Sequence, residues 1–188
     1  MSSPISEYSD VSFGQVDFDA SSVVYRPMNT RDMAQVEKLH YELLGQQLPK
    51  RFLHHSLYHP HRRTIVAELP VDDNTLIIGF ASAHVTVKPD WPSVLEPEVD
   101  LLTLGVRQEY RRQHVAENLI KAVTNSLISS CRSKAGEAGA LVRADIRCDH
   151  ANRSFFEHGM SWEEDKEFQK SLPWARRDAT RFVTRISL

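Results

Sequence analysis

The sequence has few cysteines and no long hydrophobic run. Its two cysteines, Cys131 and Cys148, lie far apart and form no C-x-x-C pair, a pattern typical of free thiols in a reducing compartment. No apolar stretch approaches the ~20 residues that a membrane-spanning helix needs. The chain of 188 residues is therefore expected to fold as one domain with a sizeable core and to have no membrane partner.

An excess of positive charge is also absent. The formal net charge is −2, so the overall basic field that nucleic-acid-binding proteins use is missing, and no specific nucleic-acid partner is expected. No lysine or arginine precedes Arg26, which argues against a secretory signal or a mitochondrial presequence. The expected location is cytoplasmic, with the nucleus as an alternative.

Residues 1–22 differ in composition from the rest of the chain. They are rich in serine and aspartate, with only scattered apolar residues, which is typical of a poorly ordered segment. We interpret residues 1–22 as a flexible N-terminal arm and residues 23–188 as the folded domain.

The most informative stretch spans residues 99–128. A dense apolar run predicts a buried strand, a charged turn follows at 107–112, and apolar residues then recur at the spacing of an amphipathic helix. The first turn of a helix has unpaired N–H groups and a partial positive charge, to which Arg111 and Arg112 add two full charges. The stretch therefore predicts an anion site, with phosphate as the favoured ligand.

Within this stretch, the segment L-G-V-R-Q-E-Y-R-R-Q-H-V-A-E-N-L-I resembles motif A of the GNAT superfamily of N-acetyltransferases. The family's phosphate loop reads [Arg/Gln]-x-x-Gly-x-[Gly/Ala]. Arg111 and Ala116 match it, while His114 stands at the central glycine and Arg112 at a further glycine. The resemblance implies acetyl-CoA as cofactor, bound through the backbone of this loop. The cofactor-binding residues that it implies are Leu104, Val106, Arg111, Arg112, Gln113, His114, Val115, Ala116 and Phe155.

A second segment supports the same resemblance. Residues 151–160 match the family pattern A-x-x-x-[Tyr]-x-x-x-G-[Phe], with Phe155 at the tyrosine. The implied fold is the α/β GNAT fold, a mixed and mostly antiparallel seven-stranded sheet that is splayed at strands 4 and 5 and flanked by four helices. Hydrophobic patterns predict strands at 23–27, 64–68, 76–87, 99–106, 141–146, 162–168 and 179–186. Four helices are also predicted. The first is capped by Asn29 or Thr30 and ends before Gly45, and the second is short and ends at Leu57 or Tyr58. The third follows the phosphate loop and ends at about Ser130, and the fourth covers 151–158.

Within the superfamily, the sequence is most similar to protein N-terminal acetyltransferases of the NatE and NatF type. The segment L-T-L-G-V precedes the basic turn, and L-P-K-R-F resembles their F-P-V-x-Y substrate segment. The resemblance implies an acceptor groove with Leu48, Pro49 and Phe52 on one wall and Trp174 on the other. The implied acceptor is a peptide or protein N-terminus or a small amine, and a ribosome or an acetyltransferase complex is a possible partner.

Acetyl transfer needs a neutral amine, a stabilised oxyanion and a proton for the leaving thiolate. The resemblance places the oxyanion donor among the backbone N–H groups of residues 104–106. At the positions of the family's tyrosine and histidine, this sequence has Asp100 and Arg143. The tyrosine that protonates coenzyme A is replaced by Phe155, which has no proton to give.

Two interpretations of these replacements remain open. In the first, Asp100 or Glu98 is a replacement base, and Arg143 pairs with it or with the substrate. In the second, Asp100 and Arg143 form a cross-strand ion pair in a site that has lost turnover, and the protein is a catalytically impaired subunit that binds acyl-CoA or a partner. The histidines between residues 54 and 61 match no zinc motif, so no metal is expected.

Overall fold

Seven strands form one sheet in the order β1-β2-β3-β4-β5-β7-β6. The computed structural model describes residues 18–71, 74–86, 97–131, 139–147, 153–158, 160–168 and 179–187. The strands are β1 (Val24–Pro27), β2 (Arg62–Val71), β3 (Asn74–Thr86), β4 (Glu98–Val106), β5 (Ala140–Arg147), β6 (Glu163–Glu164) and β7 (Ala179–Ile186). The helices are α1 (Met33–Leu44), α2 (Phe52–Tyr58), α3 (Val115–Cys131) and α4 (Arg153–His158).

The sheet is mixed, with a single parallel pair among the described strands. Strands β1 to β4 pair antiparallel in chain order, and β7 lies antiparallel between β5 and β6. The parallel pairing of β4 with β5 ends at Leu101 opposite Ala144, although β4 continues to Val106 and β5 to Arg147. The two strands therefore diverge, and the predicted GNAT architecture with its splay at strands 4 and 5 is confirmed.

Each face of the sheet has its own apolar core. Side chains of α3 and α4 pack with one face, and side chains of α1 and α2 pack with the other. Because successive residues of a strand point to opposite faces, Phe80 of β3 lies in the α1–α2 core and Ala81 in the α3–α4 core. The long strands β2 and β3 are thus shared by both cores.

Helix α1 ends where the sequence predicts but begins later, at Met33, because the predicted start at Asn29 or Thr30 forms a short 3₁₀ helix (Thr30–Asp32) instead. The Asn29 side chain accepts a hydrogen bond of 2.8 Å from the N–H of Arg31, and Asp32 accepts one of 2.8 Å from the N–H of Asn29. Gly45 follows the helix with φ 65°, a left-handed conformation that glycine adopts at little cost. The Asn29 cap therefore begins the 3₁₀ turn that leads into α1, and Gly45 ends the helix.

Strand β6 is shorter than the predicted 162–168. After Glu164 the chain turns, because the Asp165 carboxylate accepts hydrogen bonds from the N–H groups of Glu167 and Phe168 at 3.2 and 3.1 Å. Trp162 instead packs in the core, with its ring centroid 5.2 Å from that of Phe156. Residues 151 and 152 of the predicted fourth helix lie outside the described residues.

Among the described residues, no helix is both long enough and apolar enough to span a membrane. Most of the segment interpreted as an N-terminal arm lies outside the described residues. Its last part contacts the domain, since the ring of Phe18 packs edge-on against Tyr110 at a centroid distance of 5.0 Å.

Candidate active site

The cleft between β4 and β5 begins at an irregularity in β4. Ser82 pairs with Thr103 and Ala83 pairs with Leu101, so Leu102 is an extra residue in β4. Farther along, the N–H of Arg107 donates to the Ile78 carbonyl of β3 at 2.8 Å. Because N–H directions alternate along a strand, the N–H groups of residues 104 and 106 point away from β3, into the cleft.

The predicted phosphate loop, residues 111–116, has the backbone shape that glycine usually supplies. Arg112 and His114 have φ angles of 61° and 58°, both in the left-handed region. Helix α3 follows at once, and its first turn is closed by a hydrogen bond of 3.0 Å from the N–H of Asn118 to the His114 carbonyl. The preceding amides have no partner within the helix, so the loop and helix terminus fit a pyrophosphate group.

The side chains of the loop take different directions. Arg111 folds back onto β4, where its Nε donates to the Val106 carbonyl at 3.0 Å. Arg112 is exposed and lies at the loop surface. His114 is also exposed, and its Nδ1 lies 3.1 Å from the Glu117 carboxylate. The backbone conformation therefore determines the shape of the loop. Of its two arginines, Arg111 is bonded to β4 and Arg112 is not.

The predicted ion pair between Asp100 and Arg143 is present. The Arg143 Nε and Nη2 donate to the two Asp100 oxygens at 2.8 and 3.1 Å, and its Nη1 donates to Glu98 at 2.7 Å. Thr86 also donates to Asp100, at 3.1 Å. The Arg143 and Asp100 side chains are 18% and 30% exposed, so this network is only partly shielded from water.

The network continues across the sheet through residues that the sequence did not reveal. Arg62 of β2 pairs with His84 of β3, His84 pairs with Asp100 of β4, and Asp100 pairs with Arg143 of β5. We call these four residues the polar row. The Cζ of Arg62 also lies 5.8 Å from the centre of the Phe52 ring in α2. The polar row therefore lies on the α1–α2 face of the sheet.

The protonation state of His84 in the polar row follows from its surroundings. Burial lowers the pKa of His84 below its usual range, and the positive charge of Arg62 lowers it further. The negative charge of Asp100 raises the pKa but does not cancel these effects. His84 is therefore neutral near pH 7. In the sequence, the alternation of side chains along strand 76–87 is enough to put His84 and Phe80 on the same face. The pairing of His84 with Asp100 depends on the register between β3 and β4, which the sequence does not reveal.

The predicted acceptor wall is only partly described. Leu48 and Phe52 pack against the α1–α2 core, and Pro49 is exposed. The structure therefore brings Phe52 to the same face as the polar row. Trp174 lies outside the described residues.

Phe155 lies on α4, on the opposite side of the sheet. Its ring packs edge-on against Phe156 at a centroid distance of 5.0 Å, and it contacts the α3–α4 core.

Histidines also surround one end of the polar row. The ring of His59 lies 5.6 Å from that of His61 and 6.4 Å from that of His84, measured between centroids. Within the described part of the chain, no three His, Cys, Asp or Glu side chains are placed to hold a metal ion.

Three comparisons with known proteins bear on this architecture. Residues 30–160, more than half of the chain, match the model of the "Acetyltransferase (GNAT) family". Comparison with curated protein sequences gives no match. Solved structures, in contrast, give many matches at low sequence identity.

Three of these structures illustrate the likeness. NAA60 of Arabidopsis thaliana in complex with acetyl-CoA has a TM-score of 0.59 and 20% identity, over 87% of this chain and 98% of that one. Arabidopsis thaliana Naa50 with the bisubstrate analogue CoA-Ac-MVNAL has a TM-score of 0.59 and 15% identity, over 89% and 99%. The ribosomal-protein-S18-alanine N-acetyltransferase of Escherichia coli has a TM-score of 0.56 and 12% identity, over 88% and 95%.

At these identities the solved structures show the fold alone, whereas the family model matches the sequence itself. The match includes the splayed strands, the phosphate loop and all of α4. This protein belongs to the GNAT family of acetyltransferases.

Proposed function

We propose that this protein is an acetyl-CoA-dependent N-acetyltransferase whose acceptor is the α-amine of a protein N-terminus. The observation that carries the proposal is the left-handed backbone of Arg112 and His114 directly before α3. These two side chains replace glycines of the family pattern, yet the loop keeps the conformation that leaves its amides open to a pyrophosphate.

Acetyl-CoA supplies the acetyl group to be transferred. The backbone amides of residues 113–116 bind its pyrophosphate, and Arg112 adds a positive charge. The N–H groups of residues 104 and 106 point into the β4–β5 cleft and stabilise the negative charge that develops on the carbonyl oxygen.

The acceptor enters on the α1–α2 face. Leu48, Pro49 and Phe52 provide an apolar wall there, and the carboxylates of Asp100 and Glu98 attract an ammonium group. Arabidopsis thaliana Naa50, a structure of similar fold, is bound to the bisubstrate analogue CoA-Ac-MVNAL, which supports a peptide substrate. Lys50 is exposed beside this wall, and its charge favours an acidic residue early in the acceptor. A partner on the ribosome or in an acetyltransferase complex and a cytoplasmic location are further parts of the proposal.

A second candidate function has its own support. Arg143 holds both Asp100 and Glu98, and Phe155 cannot protonate a thiolate. A site of this kind suits a GNAT protein that binds acyl-CoA or a partner protein without turnover. The role of Asp100 or Glu98 as a base stays a prediction from the sequence.

Binding of acetyl-CoA is the first property to test, by isothermal titration calorimetry and thermal unfolding. At ~100 times its dissociation constant, a ligand that binds only the folded state stabilises it by about 2.7 kcal/mol. Arg112→Ala should weaken binding about tenfold or more, whereas Arg31→Ala, at an exposed arginine of another segment, should not. No heat and no thermal shift at millimolar acetyl-CoA would refute the cofactor assignment.

Turnover separates the two candidate functions. The protein should acetylate peptides with a free N-terminus. Peptides with an acidic residue near the N-terminus should be acetylated faster than peptides that begin with Met-Leu. Product would be measured by mass spectrometry against a peptide with a blocked N-terminus. Binding of acetyl-CoA without acetylation of any free amine would instead support the non-catalytic subunit.

A further inference from the structure

We propose that His84 is the catalytic base that takes the proton from the acceptor amine, a role that rests on the proposed acetyltransferase function. The sequence drew attention to Asp100, Glu98 and Arg143, but the structure places a histidine beside them. His84 occupies the polar row between Arg62 and Asp100.

The register places His84 next to the proposed acceptor site. Residues directly opposite each other in an antiparallel pair have Cβ atoms ~4.5–5.5 Å apart. This spacing brings the imidazole alongside the Asp100 carboxylate, on the same face as the Phe52 wall. An ammonium group attracted to Asp100 therefore comes within reach of His84.

The two carboxylates are poorly placed to accept that proton themselves. Both oxygens of Asp100 accept hydrogen bonds from Arg143, and one also accepts from Thr86. Glu98 accepts from Arg143 at 2.7 Å. Their role is instead to hold negative charge beside His84, where it attracts the acceptor and stabilises the imidazolium once it has formed.

Charged and titratable groups face His84 from each packed segment. Arg62 lies on β2, Asp100 on β4, and His59 and His61 on the segment before β2. Burial and the positive charge of Arg62 keep the imidazole neutral near pH 7, which is the form a base needs.

The proposed step conserves atoms and charge. The acceptor ammonium gives one proton to an imidazole nitrogen of His84, and the electron pair of that N–H bond stays on the amine. The neutral amine forms a C–N bond with the acetyl carbon, and the C–S bond breaks with its electron pair on sulfur. The second amine proton goes to the sulfur, giving the amide and a thiol, and the His84 imidazolium releases its proton to water.

The test compares wild type, His84→Gln and a matched control, His158→Gln. His158 is exposed on α4, on the opposite side of the sheet. General bases contribute typically 10²–10⁴-fold, so kcat of His84→Gln should fall about 100-fold or more while the Kd of acetyl-CoA stays unchanged. The wild-type rate should decline at acidic pH, and His84→Gln should lack this decline. His158→Gln should behave as wild type.

Arg62→Gln provides an independent readout if His84→Gln does not fold. Loss of the Arg62 charge should raise the pKa of His84, so the acidic decline in kcat should move to higher pH. Nuclear magnetic resonance titration of the His84 imidazole in the free protein should show the same shift.

Each outcome bears on a definite claim. An active wild type with an unchanged rate and pH profile in His84→Gln overturns the role of His84 alone, as does an Arg62→Gln variant without either shift. A wild type that acetylates no amine overturns the catalytic function itself.

Discussion

The phosphate loop shows how a backbone conformation can persist without the residues that favour it. Residues other than glycine pay a steric penalty in the left-handed region, because Cβ approaches the carbonyl oxygen. His114 adopts this strained conformation because it lies between two fixed elements: Arg111 is bonded to β4, and α3 begins at Val115. The surrounding structure therefore imposes the loop shape that the family pattern assigns to glycine.

His114→Gly should stabilise the protein and tighten acetyl-CoA binding. Removal of the left-handed strain returns ~1–2 kcal/mol, and the greater freedom of glycine in the unfolded chain offsets part of this gain. We expect a net gain of about 0.5–1 kcal/mol, or a rise of roughly 1–4 °C in Tm. Gln113→Gly is the matched control, since its φ is not positive, and it should lower Tm. A lower Tm in His114→Gly would show that His114 is not strained.

At the scale of elements, one ionic network joins α1 to the edge of the sheet. Arg26 of β1 binds Asp32, which precedes α1, at 2.6 and 3.0 Å, and it also binds Glu68 of β2. The Asp32 side chain is only 9% exposed. Burial alone would raise the pKa of Asp32, but hydrogen bonds from Arg26 and from the N–H of Asn29 outweigh burial and hold the pKa below its usual value of 3.8.

Asp32→Asn should therefore destabilise the protein in a pH-dependent way. A carboxylate with a lowered folded-state pKa adds stability above its unfolded pKa, and this stability is lost as the pH falls through the folded value. Hydrogen bonds to charged groups contribute about 1.5–3 kcal/mol, so we expect a loss of this order at pH 7 that becomes smaller as the pH falls below 3.8 and through the lowered folded-state pKa.

Urea unfolding of wild type and Asp32→Asn at several pH values would measure this difference. Glu37→Gln, at an exposed carboxylate of α1, is the control and should change little. An equal loss at pH 7 and pH 2 would mean that the charge of Asp32 is not what stabilises the network.

Elements with their own local signals were predictable from the sequence, and distant pairings were not. Gly45 marks the end of α1 as expected, and β4 lies within one residue of its predicted bounds. Strand β6 is short because the Asp165 turn ends it within the predicted segment 162–168. His84 was missed because its importance depends on the register between β3 and β4, with an extra residue at Leu102, which no local pattern encodes.

The whole molecule has two cores but one sheet between them. Leu39 of α1 is 1% exposed in one core, and Leu127 of α3 is 0% exposed in the other. Strands β2 and β3 contribute alternate residues to both, so neither core can lose its packing while the sheet stays intact. The phosphate loop belongs to the α3 side and the acceptor wall to the α1–α2 side, and the shared sheet holds the two halves of the site together.

Leu39→Ala and Leu127→Ala should consequently lower one common unfolding transition. Truncation of a buried leucine to alanine costs about 2–5 kcal/mol, and both variants should still unfold in a single step. Differential scanning calorimetry should give a calorimetric enthalpy equal to the van't Hoff enthalpy in each case. The fluorescence of Trp162, which packs in the α3–α4 core, should change together with the far-ultraviolet signal even in Leu39→Ala. A separate early transition in Leu39→Ala that leaves the Trp162 signal native would show that the two cores unfold independently, and the acceptor side could then open without release of the phosphate loop.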